Sequence, residues 1–191
     1  MAHQGIYIAA VVMAVVMGWT SRAAATESTA AVAGQPSLMA PDARVRGVTP
    51  RVARILTDAA AQSETFRGLL ARIGTTDGIV YVREDHCGEG LRACLLHIVT
   101  IAGPSRVLWI LVDPRNSDRD LMESIGHELQ HAVEVLSDRS VRSNPAILML
   151  YRQRCQLCGG LRGPFETIAA IDAGNAVRAE LEESAAAERR E

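Results

Sequence analysis

Apolar and polar positions alternate at helical spacing from Val52 to Ile73 and stop at Gly74, which predicts a first helix. Ile79 to Arg83 reads as a strand. Leu95 to Ile101 and Val107 to Val112 are β-branched and apolar and are parted by Gly103-Pro104-Ser105, so they predict neighbouring strands of one sheet. Further on, Leu121, Ile125, Leu129, Ala132 and Leu136 form an apolar stripe at helical spacing. The segment from Asp118 to Leu136 contains no Pro, and Asp118 and Asp120 lie where a helix start favours negative charge. Pro145 to Gln153 predicts a shorter helix. Gly163-Pro164 opens another, from Phe165 to about Glu183, since Pro is well tolerated at the first helical position. The order is helix, three strands, long helix and two C-terminal helices, an α+β layout with helices packed on a small sheet.

The flanks carry a different pattern. Ile6 to Trp19 is an apolar run too short to span a membrane comfortably, and Ala23-Ala24-Ala25 supplies the small residues of a cleavage site. Residues 1–25 therefore read as a secretory signal, with a mature start near Thr26 and no stable membrane insertion after cleavage. Met1 to Gly5 has no Lys or Arg, so a retained anchor is the alternative. Residues 26–50 are rich in Ala, Ser, Thr, Gly and Pro and read as a flexible linker. Residues 51–186 suffice for one domain with a single core, and residues 187–191 read as a polar tail.

Charge narrows the partners. The formal net charge of −2 becomes −3 once the single charge in residues 1–25, Arg22, is removed. That balance argues against nucleic acid, which favours a basic face, and aromatic residues at 4% leave few stacking platforms. The four cysteines of an exported chain are disulfide candidates. Cys87 and Cys94 bracket the turn-like Gly88-Glu89-Gly90, which suggests a local staple. Cys155-Gln156-Leu157-Cys158 reads first as a small-loop disulfide. A redox pair is the second reading, although such pairs usually open a helix and this one precedes Gly159-Gly160. A four-cysteine zinc knot with Cys87 and Cys94 is the third.

The candidate chemistry sits on the long helix, in Ile125-Gly126-His127-Glu128-Leu129-Gln130-His131-Ala132-Val133. Residues four apart share a helix face, so His127 and His131 point their imidazoles at one ion. Zn²⁺ favours such nitrogens and keeps an open position in catalytic sites. Glu128 is rotated about 100° from His127, which places its carboxylate beside the ion rather than on it. There it serves as general base for a water that the metal activates. The bare His-Glu-x-x-His pattern fixes only three residues, and its weight comes from the uncharged, helix-compatible positions around it.

The motif and the order of elements resemble the zincin metallopeptidases, and among them the gluzincin type. The resemblance covers residues 50–186 in layout, but only residues 124–134 and 164–174 in motif. It implies a sheet before the active-site helix and a glutamate from a later helix as third ligand. The metzincin pattern puts Gly at 134 and His at 137, where this chain has Glu134 and Ser137. The thermolysin spacing wants Glu near 150, where Met149, Leu150 and Tyr151 stand. The remaining candidate is Glu166, in the first turn of the last predicted helix, with Asp172 and Glu180 as fallbacks. Against it stands a plain charge at a helix N-terminus. Ala169 and Ala170 are small enough to bring that helix close. Gluzincins of the neprilysin type show a similar Glu-x-x-Ala followed by Asp, and here Ala170 stands in the Asp position. Glu134 is then the alternative partner to orient a ligand histidine, against a solvated carboxylate.

What the resemblance implies is a zinc peptidase that hydrolyses amide bonds of a peptide or protein laid along a sheet edge, and the signal in residues 1–25 makes it exported, periplasmic or secreted. Tyr151, Arg152, Arg154 and His97 are the candidates for oxyanion stabilisation. His97 within a strand also reads as a packed core residue, and His86 as plain surface. The competing reading is a non-enzymatic zinc-binding envelope module of the same fold. An open coordination position separates the two. A thiol oxidoreductase built on the paired cysteines is a third class, separated by the pKa of Cys155.

Overall fold

Thr49 and Ser63 each open a helix, so the stretch expected as one helix is two. The computed structural model describes residues 43–154 and 165–190. Helix α1 spans Pro50–Gln62 and α2 spans Glu64–Gly74. Pro50 takes the first helical position, and Thr49 Oγ1 accepts from the Val52 amide at 3.3 Å. Ser63 leaves the helical conformation at φ −128° and ψ 123°, and its hydroxyl accepts from the Phe66 amide at 2.9 Å. The hydroxyls of Ser63 and Thr65 and the Thr65 amide all donate to Glu180, near the end of the chain. The apolar pattern conceals this break. Ala59 and Phe66 are both fully buried, and their separation is about two helical turns, so the stripe keeps its phase across Ser63.

The sheet has five strands rather than three: β1 Val45–Gly47, β2 Gly78–Glu84, β3 Ala93–Leu95, β4 Thr100–Ala102 and β5 Ser105–Val112. Strands β1, β2 and β5 lie side by side and parallel. β3 and β4 both run antiparallel on the other edge of β5. β1 falls in the stretch expected as a linker, because three residues are too few to show alternation. Leu95 to Ile101, expected as one strand, pairs only at its ends. Between them the chain leaves the sheet, and the Val99 amide donates to Asn144 Oδ1 at 3.0 Å. His97 lies in this excursion, not inside a strand.

Helices α3 Asp118–Ser137, α4 Asn144–Arg154 and α5 Ile168–Glu188 complete the described residues, giving a mixed α+β fold of five helices and a five-stranded sheet. α5 starts after Thr167, not at Phe165, and runs into the stretch expected as a tail. Each residue of the predicted α3 stripe is at most 1% exposed and joins Val80, Val82, Leu108 and Ile110 of the sheet in one core. The end of α3 is held by Arg106, fully buried on β5. Its guanidinium grips the Asp77 carboxylate, with Nη2 at 2.6 Å. It also donates to the carbonyls of Val135, Leu136, Asp138 and Val141 at 2.7–3.2 Å. These include carbonyls that a helix end leaves without partners, and the positive charge opposes the helix dipole. Among the described residues no helix is long and apolar enough to cross a membrane. The expected signal, Cys155, Cys158 and the Gly163-Pro164 start lie outside the described residues.

Candidate metal centre

α3 presents His127 and His131 one turn apart, their rings edge to face with centroids 4.9 Å apart. Glu166 approaches from the segment ahead of α5. Its Oε1 lies 3.2 Å from His127 Nε2 and 3.6 Å from His131 Nε2. One ligand atom from each of the three residues falls within 4.8 Å of the others. Glu166 does so from the residue just before Thr167, the α5 cap, so it is not the first-turn residue that the sequence suggests. Two imidazole nitrogens and one carboxylate oxygen converging this closely could hold a metal ion, and they are donors of the kind Zn²⁺ accepts.

The surroundings orient these donors. Glu134 is buried, which removes the solvated alternative. Its Oε2 lies 3.2 Å from His131 Nδ1, turning Nε2 of that ring towards Glu166. Its Oε1 accepts from Thr167 Oγ1 at 2.8 Å and from Gln130 Nε2 at 3.3 Å. Thr167 also caps α5, so one carboxylate ties α3 to the segment that carries Glu166. Of the small residues expected to let α5 come close, Ala170 is fully buried while Ala169 is exposed, and Gly126 and Gly174 add close contacts that were not expected. A Cβ on Gly126 would stand 2.8 Å from Val177 Cγ2, and one on Gly174 would stand 3.2 Å from His127 Cβ.

Glu128 sits beside this group without joining it. Its Oε2 accepts from the Leu95 amide on β3 at 2.7 Å, and its Oε1 is 4.0 Å from His127 Nε2. Burial pushes the Glu128 carboxyl up, and the two histidines and the Leu95 amide offset this only in part. Burial works against a charge on His131, but hydrogen bonds to Glu134 and Glu166, with the Glu128 charge nearby, raise its pKa to about 9. Glu166 is pushed up by burial and pulled down further by His127 and His131, to about 2. Glu134 is likewise held low by His131 and Thr167 in spite of burial. One carboxylate is thus inclined to take up a proton while its two neighbours stay ionised.

The other candidates separate clearly. Asp172 is exposed, and Glu180 is engaged by Ser63 and Thr65, so neither joins the cluster. Arg152 and Arg154 are exposed on α4. Tyr151 is buried, and its hydroxyl donates to the His131 carbonyl at 3.4 Å. The His97 ring packs edge-on against Phe165, with centroids 4.4 Å apart, and lines a cavity of about 170 Å³ with His131 and Glu166. His86 is half exposed beside Asp113, as expected of a surface residue. A larger cleft of about 570 Å³, which shares His127, Glu128 and Glu166 with that cavity, opens between β3 with its preceding loop, α3 and α5. A Cys87–Cys94 disulfide closes that loop, in which Gly88 and Gly90 adopt φ 117° and 78°. Sequence reading missed Thr167 and the Leu95 amide. The first had a signal, as a helix-capping threonine. The second had none, because a backbone amide is the same in every residue. No protein-family model, curated protein or solved structure matches this chain.

Proposed function

We propose that this protein is an exported zinc-dependent peptidase, gluzincin-like within the zincin type, that hydrolyses amide bonds. The observation that carries the reading is the convergence of His127, His131 and Glu166, from two separate segments, with Glu128 alongside. His127, His131 and Glu166 would hold the Zn²⁺, which would supply Lewis acidity towards a carbonyl and lower the pKa of water. Glu128 accepts the proton of the attacking water at Oε1, because Leu95 occupies Oε2, and then hands it to the leaving nitrogen. Glu134 keeps the His131 proton on Nδ1, and Thr167 and Gln130 keep Glu134 in place. Of the four oxyanion candidates, His97 is assigned the role, since it lines the cavity beside His131 and Glu166 while Tyr151 is engaged with a carbonyl. The Cys87–Cys94 disulfide supports a periplasmic or secreted location, where thiols stay oxidised.

The test pairs metal content with turnover. Wild type binds one zinc per chain and cleaves a broad peptide library in a chelator-sensitive way. His131→Ala and Glu166→Ala lose the metal. Glu128→Gln keeps it and loses about 10²–10⁴ in rate. Wild-type zinc affinity in Glu166→Ala removes that ligand, and wild-type turnover in Glu128→Gln removes the mechanism. Stoichiometric zinc without cleavage by wild type favours the non-enzymatic envelope module instead.

A further inference from the structure

The two hollows share His127, Glu128 and Glu166, so a peptide laid across those residues puts one flank in each. The arginines of the larger cleft are already matched by acids. Glu123 pairs with Arg178 and lies 3.7 Å from Arg92, and Asp120 lies 3.6 Å from Arg92. The small cavity differs in kind. Apart from its histidines and the shared carboxylates, it is lined by Leu91, Ala93, Cys94 and Leu95 and by the rings of Tyr151 and Phe165, whose centroids are 5.7 Å apart. Leu91 lines the larger cleft as well. Among the described residues it is the one exposed large apolar side chain that borders both hollows, at 51% exposed. The backbone around it is held. The Cys87–Cys94 disulfide closes its loop, Gly88 and Gly90 turn it, and the Arg92 carbonyl accepts from the Asp113 amide at 2.9 Å.

We propose that Leu91 is a specificity-determining residue: with Tyr151 and Phe165 it closes the small cavity around an apolar substrate side chain of Leu or Phe size, next to the scissile bond. This rests on the reading of the His127–His131–Glu166 group as a peptide-hydrolysing centre. An apolar cavity of about 150 Å³ holds a benzene ring, and the small cavity measures about 170 Å³. An acidic side chain there meets the Glu128 and Glu166 carboxylates, and a lysine brings its charge to the metal-binding group. Leu91 is exposed without substrate, so covering it removes apolar surface from water. Its tethered loop loses little freedom when that happens.

The test uses labelled hexapeptides of alanine in which one position in turn carries Leu, Phe, Lys or Glu. Binding is followed by fluorescence anisotropy on zinc-loaded Glu128→Gln protein, and cleavage is followed with wild type. At one position the Leu or Phe peptide binds roughly tenfold or more tightly than the all-alanine peptide, and Lys and Glu bring no gain. Leu91→Ala, in the same Glu128→Gln protein, shrinks that gap to about threefold or less. Ile101→Ala, which removes an exposed apolar side chain outside both hollows, keeps it. Equal or undetectable binding of the Leu, Phe and all-alanine peptides at every position overturns the proposal. So does tightest binding of the Lys or Glu peptide, or a gap of full size in Leu91→Ala. Cleavage by wild type with no preference at any position overturns the proposal and leaves the peptidase standing. A Leu91-dependent preference in binding without any cleavage does the reverse.

Discussion

Thr167 donates from Oγ1 to Glu134 at 2.8 Å, and the other oxygen of Glu134 lies 3.2 Å from His131 Nδ1. The residue next to one proposed ligand is thereby hydrogen-bonded, through one carboxylate, to another. Glu134→Gln and Thr167→Val each weaken this brace without touching a donor atom. Zinc affinity measured by chelator competition is expected to fall about 10–100-fold in Glu134→Gln, less in Thr167→Val, and far less in either than in His131→Ala. Unchanged affinity in Glu134→Gln contradicts an orienting role.

Arg106 and Asp77 form a second brace, at the C-terminal end of α3. Arg106→Met leaves the Asp77 carboxylate and the end carbonyls of α3 without their shared donor, and denaturant unfolding is expected to show a loss of about 3–5 kcal/mol. The same pair sets an acid limb. The Arg106 hydrogen bond, more than any other cause, holds Asp77 below the ordinary carboxylate range. A folded pKa below the unfolded one means the contribution is complete above about pH 4 and is lost as pH falls through the lower, folded value. Asp77→Asn should therefore flatten the decline of the urea midpoint between neutral and strongly acidic pH. An acid limb as steep as that of wild type would assign it to other groups.

Gly174 sits where α5 meets His127. Gly174→Ala improves helix propensity by about 1 kcal/mol but puts a Cβ 3.2 Å from His127 Cβ and 3.6 Å from its Nδ1. The two effects oppose each other, so thermal stability is expected to change little while zinc affinity drops. Gly126→Ala instead presses on Val177, at 2.8 Å, and the strain falls on α5 packing. A larger metal defect in Gly126→Ala than in Gly174→Ala would reverse the assignment.

The Cys87–Cys94 disulfide closes the loop before Leu95, the residue whose amide holds Glu128. Replacing both cysteines by serine is expected to destabilise by about 2–3 kcal/mol through loop entropy. Under the proposed mechanism, kcat should fall while zinc content stays at the wild-type level. Loss of zinc in that double variant would place the disulfide at the metal ligands rather than at Glu128.

The local signals were legible where one segment carries the whole message. The α3 stripe, the absence of Pro and the acidic start specified the helix that holds His127, Glu128 and His131, and the mixed α+β class followed from the order of periodic segments. Phase-preserving breaks were invisible, as at Ser63, where Ala59 and Phe66 stay in step. Strand β1 was too short to alternate, and the run through His97 looked like a strand although only its ends pair. For such segments the outcome depends on what each amide finds to bind, such as Asn144 for Val99.

The sequence by itself determined the two histidines, because an i and i+4 pair on one helix needs no partner segment to face one way. It also offered Glu166 as the first candidate for a third position, with Asp172 and Glu180 as fallbacks. Only the tertiary structure decided that Glu166 approaches from just ahead of the α5 cap, that Glu134 is buried against His131 and Thr167, and that the Leu95 amide holds Glu128. Each of those relations joins residues from separate segments, and no local spacing encodes the distance between segments. That distance is set by how closely α5 packs on α3 at Gly126 and Gly174, and by where Arg106 anchors α3 on the sheet.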